Sequence, residues 1–435
     1  MSPVQIGIIG TLILFGLLFT SMPVAFAMIA SGVLGFALII SPQAAFSMVI
    51  AELFETFSAY NLTVIPLFVM MGQVSFHAGI SKRLFHTTYV WLGHLKGGLA
   101  MATVGACAGF GAICGSGPAT AATMASVALP EMKRYGYADS LASGSVAAGG
   151  SLGMLIPPSV VFIVYALMTE QSIGDLFLAG IVPGILIVGL FCVNIYIRSS
   201  KDPSLGPAGP KHSWKERFQS LNGIIETVLL FLLVMGGMFL GLFTPIEAAA
   251  IGAAGSFVIA LVQKEMSFVK LKKILLETVR TSSMVFFIVA GATIFGRFLA
   301  VSRIPFVVAE GFVSLPLPGE VVMMLIILFF LVAGCFIDAL ALMLLTIPIF
   351  FPVIQQLGFD PIWFGVIVVV ITQMGVITPP VGVNVYVVSG IERDIPLPVI
   401  FKGSMPFLGM LILAAVILIA LPDLCLFLPR LVNKS

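Results

Sequence analysis

The stretch GMLIPPSVVF (residues 153–162) and its near copy GVITPPVGVN (residues 375–384) decide how this chain is read. Each places a Gly and then a Pro-Pro pair, Pro157-Pro158 and Pro379-Pro380, inside a long uncharged run of helix length. Proline lacks a backbone donor and its ring clashes with the preceding turn, so each run reads as a helix broken in its middle. Position 379 minus position 157 gives an offset of 222. At that offset Pro23 falls on Pro245, Glu55 on Glu277, Gly97 on Gly319, Pro130 on Pro352, Gly136 on Gly358, Tyr137 on Phe359 and Glu170 on Glu392. A slip of one residue then sets Gly180 on Gly403 and Pro183 on Pro406. So many coincident Gly and Pro positions mark an internal repeat.

The medium follows from composition. Of 435 residues, 60% are hydrophobic and 9% charged, which excludes a soluble globule and defines an all-α polytopic membrane protein. Residues 1–51 carry no charged side chain, no basic leader and no A-x-A cleavage pattern, so the first stretch is read as a retained span. Cys107, Cys114, Cys192, Cys335 and Cys425 are scattered, which predicts neither disulfides nor a metal centre. His77, His86, His94 and His212 form no metal-ligand cluster and no Walker-type loop is present, so neither an ATPase nor an enzyme is expected, nor a nucleic-acid partner.

A crossing needs about 20 apolar residues. Charge-free runs supply them near 5–21, 24–47, 61–80, 140–169 and 176–197, and again near 221–242, 246–263, 281–302, 361–391 and 403–422. Between the two sets, residues 198–220 are rich in Pro, Gly, Ser and Lys and read as a connecting loop. The expected division is therefore a first repeat over 1–197, a loop over 198–220 and a second repeat over 221–435. Two further stretches, about 97–130 and 321–357, fit no single crossing and are interrupted by CGSGPA (114–119) and by Asp338. They read as re-entrant hairpins.

With the hairpins counted as non-crossing, seventeen Lys and Arg residues, from Lys82 through Lys402, fall on one side. Arg303, Arg430 and Lys434 fall on the other, and Arg297 lies within a span. The rich side is the cytoplasm, so the N-terminus is outside. Five crossings per copy invert the second repeat, with the first hairpin opening from the cytoplasm and the second from the periplasm.

Irregular backbone at membrane depth leaves polar groups unpaired unless protein, water or a ligand satisfies them. Carbonyls freed at a break suit a small cation, and half-helix N-termini suit an anion; inverted repeats that bring both to mid-depth are a secondary-transporter design. Each feature also has a plain structural reading: a Pro kink can simply bend a helix, and the small residues of CGSGPA can simply let helices pack. Asp338 is a functional candidate as an intramembrane acid, the alternative being that it hydrogen-bonds backbone and closes its hairpin. Arg297 and Arg303 could face an anion or snorkel to the interface. Glu247, two residues after Pro245, reads as a helix cap, and residues 264–280 as an amphipathic interfacial helix.

With these motifs in view, the chain resembles the large membrane subunit of the tripartite ATP-independent periplasmic (TRAP) transporters of the C4-dicarboxylate type. The residues that carry the resemblance are GSGPATAATMASVALPEMKRYGY (115–137), LGMLIPPS (152–159), LFLAGIVPG (176–184), LFTPIEAAA (242–250), GFDPIWFG (358–365) and ITPPVG (377–382). The resemblance implies an elevator-type permease of the bacterial or archaeal cytoplasmic membrane, driven by sodium and carrying a small organic anion such as a carboxylate or sulfonate. It implies two partners, a small four-helix membrane subunit and a periplasmic substrate-binding protein, and no cofactor beyond sodium as coupling ion. Carried onto this chain, one sodium site would involve Cys114, Ser116 and Pro118 with Gly153, Ile156 and Pro158. The other would use Asp338 with Gly375, Thr378 and Pro380. Substrate contact is expected at Ser116, Gly117, Ser159 and Asn384. Two departures stand out: a CGSG turn where SGSS is common, and TPIEA for TPTEA. A thiol is a poor sodium ligand, so the first site would lean on backbone oxygens and Ser116. The nearest alternative function is a stand-alone ion-coupled carboxylate symporter, and beyond it a channel.

Overall fold

The computed structural model describes residues 1–20, 22–314 and 317–432, which are helical throughout apart from turns and breaks. Lys434, counted above among the outer charges, lies outside the described residues. Among the described residues, five helices are long and apolar enough to cross a membrane. They are Ile173–Lys201, Pro245–Val262, Phe268–Ser302, Ala339–Gln356 and Leu397–Ala420, and two bent pairs raise the number to seven. Shorter apolar helices, among them Pro3–Phe19, Val24–Ile39, Gly98–Cys114 and Pro361–Gly375, fill the rest.

The helices form an inner and an outer body. Inside, the first hairpin consists of Gly98–Cys114 and Gly117–Arg134, and the second of Gly319–Gly334 and Ala339–Gln356. The first broken helix runs from Asp139–Ser151 through a short tight turn at Leu152–Met154 to Val160–Thr169, and the second from Pro361–Gly375 to Val383–Ile391. Ile173–Lys201 and Leu397–Ala420 brace these elements. Burial is nearly complete at the centre: every residue from Leu141 to Ser151, and from Trp363 to Gly375, is buried. Outside, Phe268–Ser302 lies along Val24–Ile39, and Pro245–Val262 packs on Val64–His77.

Several boundaries differ from expectation for identifiable reasons. The run read as one span over 24–47 ends at Ile39, because Ser41 accepts a hydrogen bond from Ala44 N at 3.1 Å and Pro42 begins a new helix reaching Ser58. Residues 264–280 are not a separate interfacial helix: from Phe268 they are continuous with the following span as the 35-residue helix Phe268–Ser302. No Gly or Pro interrupts residues 268–290, and Ile274, Thr278, Ser282 and Val285 keep one buried stripe along it. The first hairpin extends to Arg134, and the polar connector is less of a loop than its composition suggests. Ile173–Lys201 continues into it, and Trp214–Leu221 is helical, closed by a Ser213–Glu216 capping box. The Ser213 N–H and hydroxyl hold the Glu216 carboxyl below the usual carboxylate range. Glu247 makes the equivalent capping box with Thr244, as its position predicted.

Candidate functional site

The first hairpin turns within two residues. Gly115 ends Gly98–Cys114 in the left-handed region at φ +65°, its N–H donating to Gly111 O at 3.0 Å. Ser116 is extended and Pro118 begins the return helix. The turn is pressed against the first break: Val160 N donates to Gly115 O at 3.2 Å, and a Cβ on Gly115 would lie 2.5 Å from Pro158 O. Only glycine satisfies both the dihedral and the contact. The second hairpin turns through Cys335–Asp338, and here Val381 N donates to Cys335 O at 3.2 Å. Both Pro-Pro bonds, Pro157-Pro158 and Pro379-Pro380, are cis.

Close backbone approach recurs one turn deeper. A Cβ on Gly111 would stand 2.8 Å from Gly153 Cα, and one on Gly375 would overlap the backbone of Gly334. Glycine pairs at these crossings let each hairpin sit directly on its broken helix. Behind the first tip, the Thr120 hydroxyl donates to Ser116 O at 2.8 Å, and a Cβ on Gly153 would meet both groups.

The two tips open on one cavity of about 290 Å³. Residues 114–119 of the first hairpin and 338–340 of the second line it, joined by Met154, Val160 and Val161 of the first broken helix. The outer body contributes Val69 and Gln73 from Val64–His77, and Thr281, Met284 and Val285 from Phe268–Ser302. Most of the wall is apolar, with Gln73, Ser116, Thr281 and Asp338 as its polar points, the composition of a small-molecule site. Asp338 is the N-cap of Ala339–Gln356, with Oδ2 accepting from Leu340 N at 3.1 Å. It therefore caps its hairpin helix and lines the cavity at once.

The expected site residues divide into three groups. Cys114, Ser116, Gly117, Pro118 and Asp338 come together around the cavity. Gly153, Ile156 and Pro158 lie at the first break, and Gly375, Thr378 and Pro380 at the second. Among the described residues, the carbonyls of Ile156, Pro158, Thr378 and Pro380 accept no hydrogen bond, so hard oxygen donors are available at both breaks. The Thr378 hydroxyl donates to Met374 O at 2.6 Å. The breaks differ in exposure: Pro157 and Pro158 are buried, Pro379 and Pro380 exposed.

Ser159 and Asn384 stand apart from the cavity wall. Ser159 caps Val160–Thr169, its hydroxyl donating to Met154 O at 2.5 Å and accepting from Phe162 N. Asn384 Nδ2 donates to Ala147 O at 3.0 Å, tying the second broken helix to the first. Arg297 is committed elsewhere, with Nε 2.6 Å from Glu52 Oε1, and Arg303 ends its helix in the left-handed region. Sequence reasoning passed over Thr120, Gln73, Thr281 and Gln373. Thr120 stands four positions after Ser116, a spacing that puts both on one helix face, and Gln73 and Gln373 are isolated amides within apolar runs.

Two hairpin tips and the first broken helix close on one cavity inside a helical membrane fold, the arrangement of a transport permease. The chain belongs to the family described as "Tripartite ATP-independent periplasmic transporter, DctM component", which it matches over residues 11–424. It is 38% identical over 401 residues to the C4-dicarboxylate TRAP transporter large permease protein DctM of Pseudomonas aeruginosa, covering 92% of each chain. It is 34% identical to the sialic acid TRAP transporter large permease protein SiaM of Vibrio cholerae, covering 96% of each. These relatives are permeases, as the absence of an enzymatic constellation led us to expect. In fold it resembles the YdaH transporter of Alcanivorax borkumensis, at a TM-score of 0.64 with 16% identity, over 87% of both chains.

Proposed function

We propose that this chain carries a small organic anion inward across the cytoplasmic membrane by sodium symport, as the large permease of a three-part system. The observation that carries the reading is the shared cavity, on which both hairpin tips converge with the first broken helix. A sodium ion prefers hard oxygen donors, and Ile156 and Pro158 at one break and Thr378 and Pro380 at the other supply them. Asp338 adds a carboxylate at the second hairpin tip, and the Cys114 thiol adds little.

The two halves are read as inverted repeats moving as an elevator. In support, Ala339–Gln356 has the bounds of Gly117–Arg134 advanced by 222, and the uncommitted carbonyls 156/158 and 378/380 are related by the same number. The inner body would travel against the outer one, with the first break buried and the second exposed in the state seen here. A periplasmic binding protein would deliver the anion and a small membrane subunit would brace the outer body, with the N-terminus in the periplasm. The relatives carry C4-dicarboxylates and sialic acid according to their names; an organic acid is the class they share.

The test is uptake into proteoliposomes holding the two membrane subunits, with and without the binding protein, under an inward sodium gradient. Uptake only when the binding protein is present is expected. Equal uptake without it would favour the stand-alone symporter, and unsaturable conductance a channel.

A further inference from the structure

A second cavity, of about 560 Å³, lies away from the transport site, between Ile80–Leu92 and the return helix Gly117–Arg134. Its origin is in the packing of the first hairpin. Gly98–Cys114 sits tightly on Ile80–Leu92: a Cβ on Gly105 or Gly109 would be 3.3 and 3.2 Å from Thr88 and Leu84, and Thr88 Oγ1 donates to Ala102 O at 3.0 Å. The return helix makes far sparser contact, and a wedge opens beside it.

Charged groups on both walls of the wedge have no hydrogen-bond or ion-pair partner among the described residues. Lys82, His86 and Tyr89 are spaced i, i+4, i+7 and so share one face of Ile80–Leu92; Glu131 faces them from the return helix. Among the described residues, the side chains of Lys82, His86 and Glu131 form no hydrogen bond or ion pair, whereas neighbouring Lys133 is engaged by Glu392 and Asp394. The Tyr89 hydroxyl is buried beside Tyr135, which also lines the wedge. Phe85, Leu99, Val127 and Pro130 supply an apolar floor. The charge map puts Lys82 on the cytoplasmic side, where lipid headgroups meet water.

We propose that this wedge binds the headgroup of an aminophospholipid from the cytoplasmic leaflet. The phosphate diester lies against Lys82, His86 and Tyr89, the ammonium against Glu131, and the first acyl carbons on the apolar floor. Opposite charges on the two walls select a zwitterion: a purely anionic headgroup leaves Glu131 unpaired, and a quaternary ammonium cannot donate a hydrogen bond to it. The site lies between the helix that leads into the first hairpin and that hairpin's return arm, so an occupant resists their separation.

The test is native mass spectrometry of the large permease with its membrane subunit, titrated separately with phosphatidylethanolamine, phosphatidylcholine, phosphatidylglycerol and soluble O-phosphoethanolamine. Phosphatidylethanolamine should be retained about five-fold better than either other lipid, the ratio one charge-assisted contact near a surface supplies. Glu131→Gln should erase the preference over phosphatidylcholine, and Lys82→Gln should weaken all three lipids, with the melting temperature of each variant near wild type. Equal retention of the three lipids, or variants that keep the preference, would overturn the proposal. Binding of O-phosphoethanolamine as tightly as the lipid would overturn the membrane source.

Discussion

Gln373 Nε2 donates to the carbonyl of Ser151 at 3.0 Å, and the two residues are 222 positions apart, the same interval that separates the Pro-Pro breaks. Ser151 ends the first half of its broken helix and leads directly into the tight turn Leu152–Met154. The Gln373 amide adds a donor there and ties the second broken helix to the first. Contact between equivalent positions is what an axis relating the two halves would produce.

Gln373→Leu should destabilise the protein by about 0.5–1.5 kcal/mol, the net contribution of one buried hydrogen bond. Thermal unfolding of the solubilised protein should start several degrees lower, with a parallel fall in uptake. An unchanged transition would mean that the bond contributes nothing.

Asp338 caps its helix, and the proposed sodium site would give it a second role that substitution can separate. Asp338→Asn keeps a capping oxygen and removes the charge, so the melting temperature should stay near wild type while sodium-driven uptake is lost. Asp338→Ala should lose uptake and also about 1 kcal/mol of capping stability. Normal uptake by the Asn variant would leave Asp338 as a cap alone.

Gly115→Ala meets both an unfavourable φ of +65° and the Pro158 carbonyl, and Gly375→Ala overlaps the Gly334 backbone. Each should reduce uptake at least ten-fold by an order-of-magnitude estimate, because overpacking costs about 1–3 kcal/mol and moves the hairpin off its break. Gly409→Ala, in a helix with nothing within 4 Å of the new carbon, is the control and should be neutral or mildly stabilising. Uptake assays with expression-matched variants decide it.

Arg297 is held by Glu52 through Nε while its side chain remains 59% exposed. Glu52 is buried, and the pair lies off the cavity wall. Arg297→Gln should leave the KM for the transported anion unchanged. A several-fold rise in KM would place the guanidinium on the substrate path.

How far the chain could be read without coordinates depended on what each residue's signal was. Pro157-Pro158, Pro379-Pro380, Gly115 and Asp338 advertise themselves, because proline, a turn glycine and a carboxylate are conspicuous in apolar sequence. Helices end at each of them. Ser41 and the continuity of Phe268–Ser302 were hidden, since a cap inside an apolar run leaves hydropathy unmarked and the change from charged to apolar residues after Arg280 mimics a helix boundary. Asn384, expected at the substrate, bonds Ala147 O through Nδ2 and keeps Oδ1 buried without a partner among the described residues. Gln73 and Thr281 could not be assigned to the cavity from sequence, because only the packing of the outer body on the inner one brings them opposite Ser116.

The central claim is sodium coupling through two sites, one at each break. It is tested most directly by initial uptake of the transported acid into proteoliposomes, with binding protein present, as external sodium is varied at constant ionic strength with choline. The account predicts no uptake in choline alone and a sigmoidal rise with sodium, with a Hill coefficient above one. Uptake in choline equal to that in sodium would contradict it.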